Sequence, residues 1–275
     1  MTVVLCARNV ESANQVKDNL PETKQKFVDV QYMDLSNLTS VKEAADSIMA
    51  KYKSIDCLIN NAGIMALPKR EVSTDGIEMQ WGTNHVGHHL LTRLLLPQIN
   101  SETGRIVTVA STAHTMAKRP VDDWESKESY SPWGTYGKSK LSNILFATQL
   151  QKELKANSNG GGGICSVSLH PGVSKSPLWK HTLPSLLQPV VSLIANKNIE
   201  QGAATTIYCA LCRSVQGGAY YDDCAVKEPS AFAKDVKLQQ GLWDYTESLL
   251  AEKGFELPKL AKTATGTAPA EVAAS

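Results

Sequence analysis

Short runs of β-branched and aliphatic residues alternate along this chain with longer stretches whose apolar residues recur every three or four positions. Val3-Val4-Leu5-Cys6-Ala7, Val28 to Tyr32, Ile55 to Ile59, Arg105 to Val109, Ile164 to Leu169 and Ala219 to Tyr221 read as strands. Between and after them, Ser12 to Leu20, Thr39 to Lys53, Glu78 to Leu96, Gly137 to Ala156, Ile199 to Cys212 and Val236 to Glu252 read as helices. Short strands alternating with helices of that length predict a parallel sheet covered on both faces, the doubly wound α/β class. No repeat and no linker interrupts the pattern, so residues 1–257 form one domain. From residue 258 to 275 the chain is mostly Ala and Thr and has little to bury, which predicts a disordered tail. The segment Asn157 to Gly163, with four consecutive glycines, reads as a flexible surface loop with no strand directly before it, a poor cradle for phosphate.

Composition narrows the partners. With 28 Lys and Arg against 27 Asp and Glu, the chain has no cationic excess to neutralise phosphates, which argues against nucleic acid. Its apolar stretch Leu183 to Ala195 is too short and too interrupted to span a membrane. No secretory leader is visible, so the six scattered cysteines are expected as free thiols in a cytoplasmic protein. Cys209-Ala-Leu-Cys212 lacks the companion ligands of a zinc site and reads as two small residues on a helix.

The strongest chemical signal is Tyr136-Gly-Lys-Ser-Lys140. Spacing of four on a helix puts phenol and ammonium on one face, where the cation is expected to lower the phenol pKa. A phenol tuned that way can exchange a proton with a carbonyl or alcohol oxygen. Taken alone the pair is weak, since Tyr and Lys on a helix are commonly a core residue and a solvated stem. Ser111 ends a strand of the sheet, where ligands of such folds bind, although a turn cap would also explain it, and Thr112 beside it could take the same part. Asn60-Asn61-Ala62-Gly63 follows another strand, and Gly63 suits close backbone approach to a ligand. Asn84 lies inside a helical stretch, an unfavourable place for an Asn unless its amide is engaged.

Asn60-Asn61-Ala62-Gly63, Asn84, Ser111, the Tyr136/Lys140 pair and His170-Pro171-Gly172 resemble, in order and spacing, the short-chain dehydrogenases/reductases, over roughly residues 2 to 255. Trp81-Gly-Thr-Asn84-His85-Val-Gly-His88-His89 and His170-Pro-Gly-Val173 are similar to the branch of retinol dehydrogenases and WW-domain oxidoreductases. The resemblance implies a Rossmann-like fold and interconversion of an alcohol and a carbonyl with a nicotinamide cofactor. Tyr136 would be the acid/base, Lys140 would lower its pKa and hold the nicotinamide ribose, Ser111 would steady the substrate oxygen, and Asn84 would hold a relay water. Asn60, Ala62 and Gly63 would line the adenosine side, with Asp34 and Leu35 near the adenine. Pro171 and Gly172 would shape the nicotinamide pocket, and Ser176 stands where the family often has Thr. At the strand end Cys6-Ala7-Arg8-Asn9 there is no carboxylate to take a ribose 2′-hydroxyl, and Arg8 could pair with a 2′-phosphate, which favours NADP(H). The three histidines lack the Glu of a zinc-protease pattern and read as packing or polar contacts, and Trp124, Trp133, Trp179 and Trp243 could line a pocket or fill a core. The stretch Ser174 to Ile199 matches the family's variable lid, whose apolar content suggests a lipophilic alcohol, aldehyde or ketone. A homodimer through the Tyr136 helix is a further implication.

The family's first strand and G-x-x-x-G-x-G turn have no counterpart in the sequence. In the strand order 3-2-1-4-5-6 that strand is central, so a gap in the sheet is expected, together with loss of the helix N-terminus that receives pyrophosphate. The chain is then either an N-terminally truncated form of a working reductase, or a catalytically impaired form that binds, regulates or serves as a scaffold.

Overall fold

The structure, a computed structural model, describes residues 1–119, 121–157, 163–172 and 198–260. Strand β1 (Val3–Ala7) leads through helix α1 (Val10–Asp18) to β2 (Val28–Tyr32), and helix α2 (Leu38–Lys51) returns to β3 (Cys57–Asn60). Helix α3 (Gly87–Leu95) precedes β4 (Arg105–Val109), and the long helix α4 (Pro132–Ala156) precedes β5 (Cys165–His170). Helix α5 (Ile199–Leu211), β6 (Tyr220–Asp222), β7 (Ala225–Val226) and helix α6 (Val236–Glu252) complete the order. The doubly wound α/β expectation holds: all strands through β6 run parallel, and only β7 turns back antiparallel.

The sheet is in two parts, a β1–β2 pair and a five-stranded sheet ordered β3-β4-β5-β6-β7. Val3 N–H donates to the Phe27 carbonyl at 2.8 Å, and the Ala7 carbonyl accepts from Met33 N–H at 3.1 Å. The odd residues of β1 therefore face β2, and the peptide groups of Val4 and Cys6 face the opposite edge. In the same way Arg105 N–H donates to the Asp56 carbonyl at 2.9 Å, which leaves Cys57 and Ile59 turned away from β4. One core joins the two parts. Val4 and Cys6 of β1 and Leu58 of β3 pack on a cluster built from Leu38, Val41 and Ile48 of α2, Leu90 and Leu95 of α3, and Leu141, Ile144 and Leu145 of α4. A second cluster, Val107, Val109, Val167, Leu169 and Cys209, lies on the opposite face under α5.

Local chemistry sets the element ends. Asn9 accepts from Ser12 N–H at 2.9 Å, so α1 starts at Val10, ahead of the expected Ser12. Ser131 caps α4 through Gly134 N–H at 3.1 Å, and Pro132 occupies its first turn, so α4 begins five residues before the expected Gly137. The stretch expected as a helix from Glu78 to Leu96 is helical, with a π-helical turn set into it. A turn at Met79–Trp81 and a π-helical turn at Gly82–Val86 precede α3. The tail expected from 258 is described only to residue 260, and the glycine loop lies almost wholly outside the described residues.

Candidate active site

The carboxyl ends of the parallel strands place the candidate residues along one edge: Arg8 after β1, Asp34 after β2, Asn60 to Gly63 at β3, Ser111 after β4, and Pro171 and Gly172 after β5. Helix α4 crosses beneath and carries Tyr136 and Lys140. Gly137 allows that crossing to be close: a Cβ there would stand 2.7 Å from the Ala113 carbonyl oxygen and 3.0 Å from Ala117 N. Ser111 is extended and caps the short 3-10 helix Thr112–Met116, its hydroxyl accepting from Ala113 N–H at 3.2 Å. The Ser111 hydroxyl also lies toward the Tyr136 phenol, where it acts to lower the phenol pKa.

Asn84 sits in the π-helical turn, fully buried. Its amide is committed to protein: it accepts from Ile64 N–H at 2.8 Å and donates to the Ile64 carbonyl and to Ser139 Oγ, both at 2.9 Å. Ser139 in turn donates to the Tyr136 carbonyl at 2.8 Å. The wider π turn frees backbone acceptors, and His88 Nδ1 lies 3.0 Å from the Asn84 carbonyl. Gly63 leaves room for this amide, because a Cβ there would meet Asn84 Oδ1 at 2.9 Å and Lys140 Nζ at 3.5 Å.

Lys140 is buried, and its Nζ donates to the Val109 carbonyl at 3.0 Å, an acceptor shared with Asn143 Nδ2 at 3.1 Å. Burial brings its pKa down from 10.5 to about 8. The expected lowering of the Tyr136 pKa by Lys140 is not what the geometry gives. Burial raises the phenol above its ordinary value, and the opposing influence is the Ser111 hydroxyl. The reason is placement: the ammonium lies 5.8 Å from the centre of the phenol ring and is aimed at Val109.

The remaining candidates divide. Asn60 Nδ2 donates to Thr92 Oγ1 at 2.9 Å, and its buried Oδ1 has no partner among the described residues. Ala62 is exposed at the strand edge, and Gly172 has φ of 85°, a conformation that suits glycine. Arg8 is exposed. The Asp34 carboxylate closes a turn, accepting from Ser36 N–H at 2.9 Å and from Ser36 Oγ at 2.7 Å. Leu35 is buried in the main core, its carbonyl 2.6 Å from where a Cβ on Gly87 would stand, so the structure uses it for packing. Ser176 and Trp179 lie outside the described residues. Trp133 alone of the other tryptophans stands by the phenol, 6.1 Å between ring centres, with Met65, Ala66 and Ala113 completing an apolar wall. Trp124 and Trp243 are core.

His85 and His89 read as polar contacts: His85 Nε2 is 3.2 Å from Thr246 Oγ1, and His89 Nε2 is 2.8 Å from Glu247 Oε1. Among the described residues no His, Cys, Asp or Glu cluster could hold a metal, and all six cysteines are free. Sequence reasoning missed His114, which is buried against Ser111. Its only signal is a position three residues past the strand-end serine.

A nicotinamide cofactor fits this edge at its inner end. An ammonium carries three protons and Val109 takes one, so Lys140 retains capacity for a ribose hydroxyl, and at the neighbouring strand end the buried Asn60 Oδ1 has no partner among the described residues.

Known proteins with this sequence pattern carry the same family signature. The short chain dehydrogenase family model matches residues 1–185. Short-chain dehydrogenase TIC 32 B, chloroplastic, of Brassica napus is 38% identical over 261 residues, covering 90% of this chain and 80% of the relative. Human retinol dehydrogenase 12 is 35% identical over 251 residues, covering 90% and 77%. Among solved structures, an uncharacterized protein from Mycobacterium paratuberculosis aligns with TM-score 0.73 and 31% identity, over 94% of this chain and 85% of that one. NADPH-bound carbonyl reductase from chicken fatty liver shares the fold, with TM-score 0.58 and 18% identity over 83% and 88%. The chain belongs to the short-chain dehydrogenase family, in its retinol dehydrogenase-like branch, and is by that membership an oxidoreductase of alcohols and carbonyls.

Proposed function

We propose that this chain is an NADP(H)-dependent oxidoreductase interconverting an alcohol and a carbonyl on a lipophilic small molecule. The observation that carries the reading is the Ser111–Tyr136–Lys140 arrangement beside an apolar wall. Tyr136 exchanges the proton at the substrate oxygen, and Ser111 holds that oxygen in line with the phenol. Lys140 presents an ammonium beside the phenol ring, where its spare protons bind ribose hydroxyls. The bound cofactor supplies or accepts the hydride. Asn84 keeps the loop at Ile64 and the first turns of α4 in place through its three side-chain bonds.

Met65, Ala66, Ala113 and Trp133 around the phenol support a lipophilic substrate, since a polar one would strand its groups against them. Arg8 supports NADP(H): a guanidinium at the end of β1 can fork onto a phosphate, which a ribose 2′-hydroxyl cannot match. NADPH titration followed by cofactor fluorescence, repeated with NADH, tests this. Arg8→Ala is expected to erase at least about tenfold of NADPH preference while leaving NADH affinity unchanged, and Tyr136→Phe to abolish turnover with cofactor affinity retained. Equal losses for both cofactors in Arg8→Ala would refute the assignment.

A second reading has its own observation. The divided sheet supports a form with weak cofactor affinity that binds or regulates, and absence of NADPH binding by a folded chain would favour it.

A further inference from the structure

His114 is 3% exposed and makes two bonds that point in opposite directions. Its Nδ1 lies 2.7 Å from the Ser111 carbonyl, which also accepts from the His114 main-chain N–H at 3.0 Å. Its Nε2 lies 3.0 Å from the main-chain nitrogen of Ser230. A backbone N–H can only donate, so Nε2 is the acceptor and Nδ1 carries the proton given to Ser111. The ring is neutral and its tautomer is fixed by its partners. Its edge packs on Tyr220 of β6, 5.3 Å between ring centres at 65°.

We propose that His114 is the positioning residue for Ser111: a strut that braces the turn after β4 against the segment leading into the helix Ala231–Lys234, and so holds the Ser111 hydroxyl on the Tyr136 phenol. Ser111 is extended and stands at a strand end, where a turn is free to swing unless something outside it fixes its position. The local bonds, from Ala113 N–H to its hydroxyl and from His114 N–H to its carbonyl, shape the turn but leave its orientation on the sheet open. Beside its packing on α4, two hydrogen bonds of the turn reach outside it. Thr112 N–H donates to His170 Nδ1 at 3.4 Å on β5, and His114 reaches Ser230. The second is shorter and comes from a buried ring with both nitrogens engaged. The C-terminal region thereby acts on the substrate oxygen's ligand without touching substrate.

The two bonds can be separated by substitution. Asn places a donor near the Nδ1 position and Gln places an acceptor near the Nε2 position, whereas Leu keeps bulk and loses both. The kinetic consequence rests on the oxidoreductase reading; the Ser111–Tyr136 geometry does not. The test therefore labels the tyrosines of the full chain with 13C at Cζ and assigns Tyr136 by the signal missing in Tyr136→Phe. Ser111→Ala is expected to move that signal. His114→Leu and His114→Asn are expected to move it in the same direction, and His114→Gln, which keeps an acceptor for Ser230 N–H, to leave it in place. In turnover of a carbonyl substrate, Leu and Asn are expected to lower kcat by on the order of 10- to 100-fold with KM for cofactor unchanged, and Gln to restore it. Equal displacement in His114→Asn and His114→Gln would overturn the proposal, as would a Tyr136 signal that Ser111→Ala or His114→Leu leaves unmoved. If the unaltered chain turns nothing over, the oxidoreductase reading fails, and the tyrosine signal still decides the role of His114.

Discussion

Lys140 brings a charge into a buried position where, among the described residues, it gains a carbonyl and no carboxylate. Burial alone lowers its pKa from 10.5 to about 8. Below pH 8 the folded and unfolded chains both hold the proton, and the cost of burying the charge is felt in full. Between pH 8 and 10.5 the unfolded chain binds more protons than the folded one, so this group makes stability rise with pH. A displacement of that size corresponds to about 3 kcal/mol, while losing the bond to Val109 costs about 1 kcal/mol. Lys140→Met is therefore expected to abolish turnover and to stabilise the chain by about 2 kcal/mol at pH 7. The advantage is expected to shrink to nothing or reverse near pH 10.5. Urea denaturation of both chains at the two pH values measures it, and subtracting one from the other cancels the cysteines and tyrosines that titrate in the same range. A gain independent of pH would mean that the lysine is not a buried charge.

Helix α4 shows the balance between intrinsic propensity and packing. Replacing a helical Gly by Ala is worth up to about 1 kcal/mol when nothing else changes. Gly241 in α6 is exposed and a Cβ there would meet nothing within 4 Å, so Gly241→Ala is expected to stabilise by roughly that amount. Gly137 faces two backbone atoms that cannot move aside, at 2.7 and 3.0 Å. Gly137→Ala is expected to destabilise by about 2 kcal/mol despite the propensity gain, by forcing α4 off the turn at Thr112–Met116. Urea midpoints of the two variants check the contrast, and a stabilised Gly137→Ala would mean that this crossing is loose. The same distinction explains what the sequence made legible. Strands β1, β2 and β4 and helix α6 matched their apolar patterns because periodicity reports burial directly. Tyr136, Lys140, Ser111 and Asn84 stand together because strand ends and a four-residue helical spacing fix their places. What stayed hidden depends on contacts between distant segments. Gly63 makes room for Asn84, and Leu35 packs on Gly87. The π turn carries no local signal, and the β6–β7 turn uses Asp223 and Cys224 at φ of 52° and 60° without the usual Asn-Gly.

At the scale of the whole molecule, the two parts of the sheet share one core but, among the described residues, no ladder. Val4, Cys6 and Leu58 all rest on the α2–α3–α4 cluster, so the helical layer couples β1–β2 to the remaining strands. On the other face the cover is thinner. Ile59 is 42% exposed, and on α5 Ile199, Ile207 and Leu211 expose 74%, 54% and 65%, at spacings of eight and four that put them along one stripe. Unpaired strand edges beside exposed aliphatics invite association with other chains. The parity of the ladders makes the division measurable residue by residue. Peptide groups of Leu5 and Ala7 face β2, and those of Leu58 and Asn60 face β4, whereas Val4, Cys6, Cys57 and Ile59 face away from their partners. In the 275-residue chain, amide hydrogen exchange is expected to alternate accordingly, with the outward amides at least about tenfold faster than their inward neighbours. Protection should be stronger at Leu58 and Asn60 than at Leu5 and Ala7, because β3 belongs to a five-stranded sheet and β1 to a pair. Uniform protection along β1 and β3 would mean that their edges are paired in solution. If protection became uniform only at high protein concentration, the partner would be a second copy of the chain.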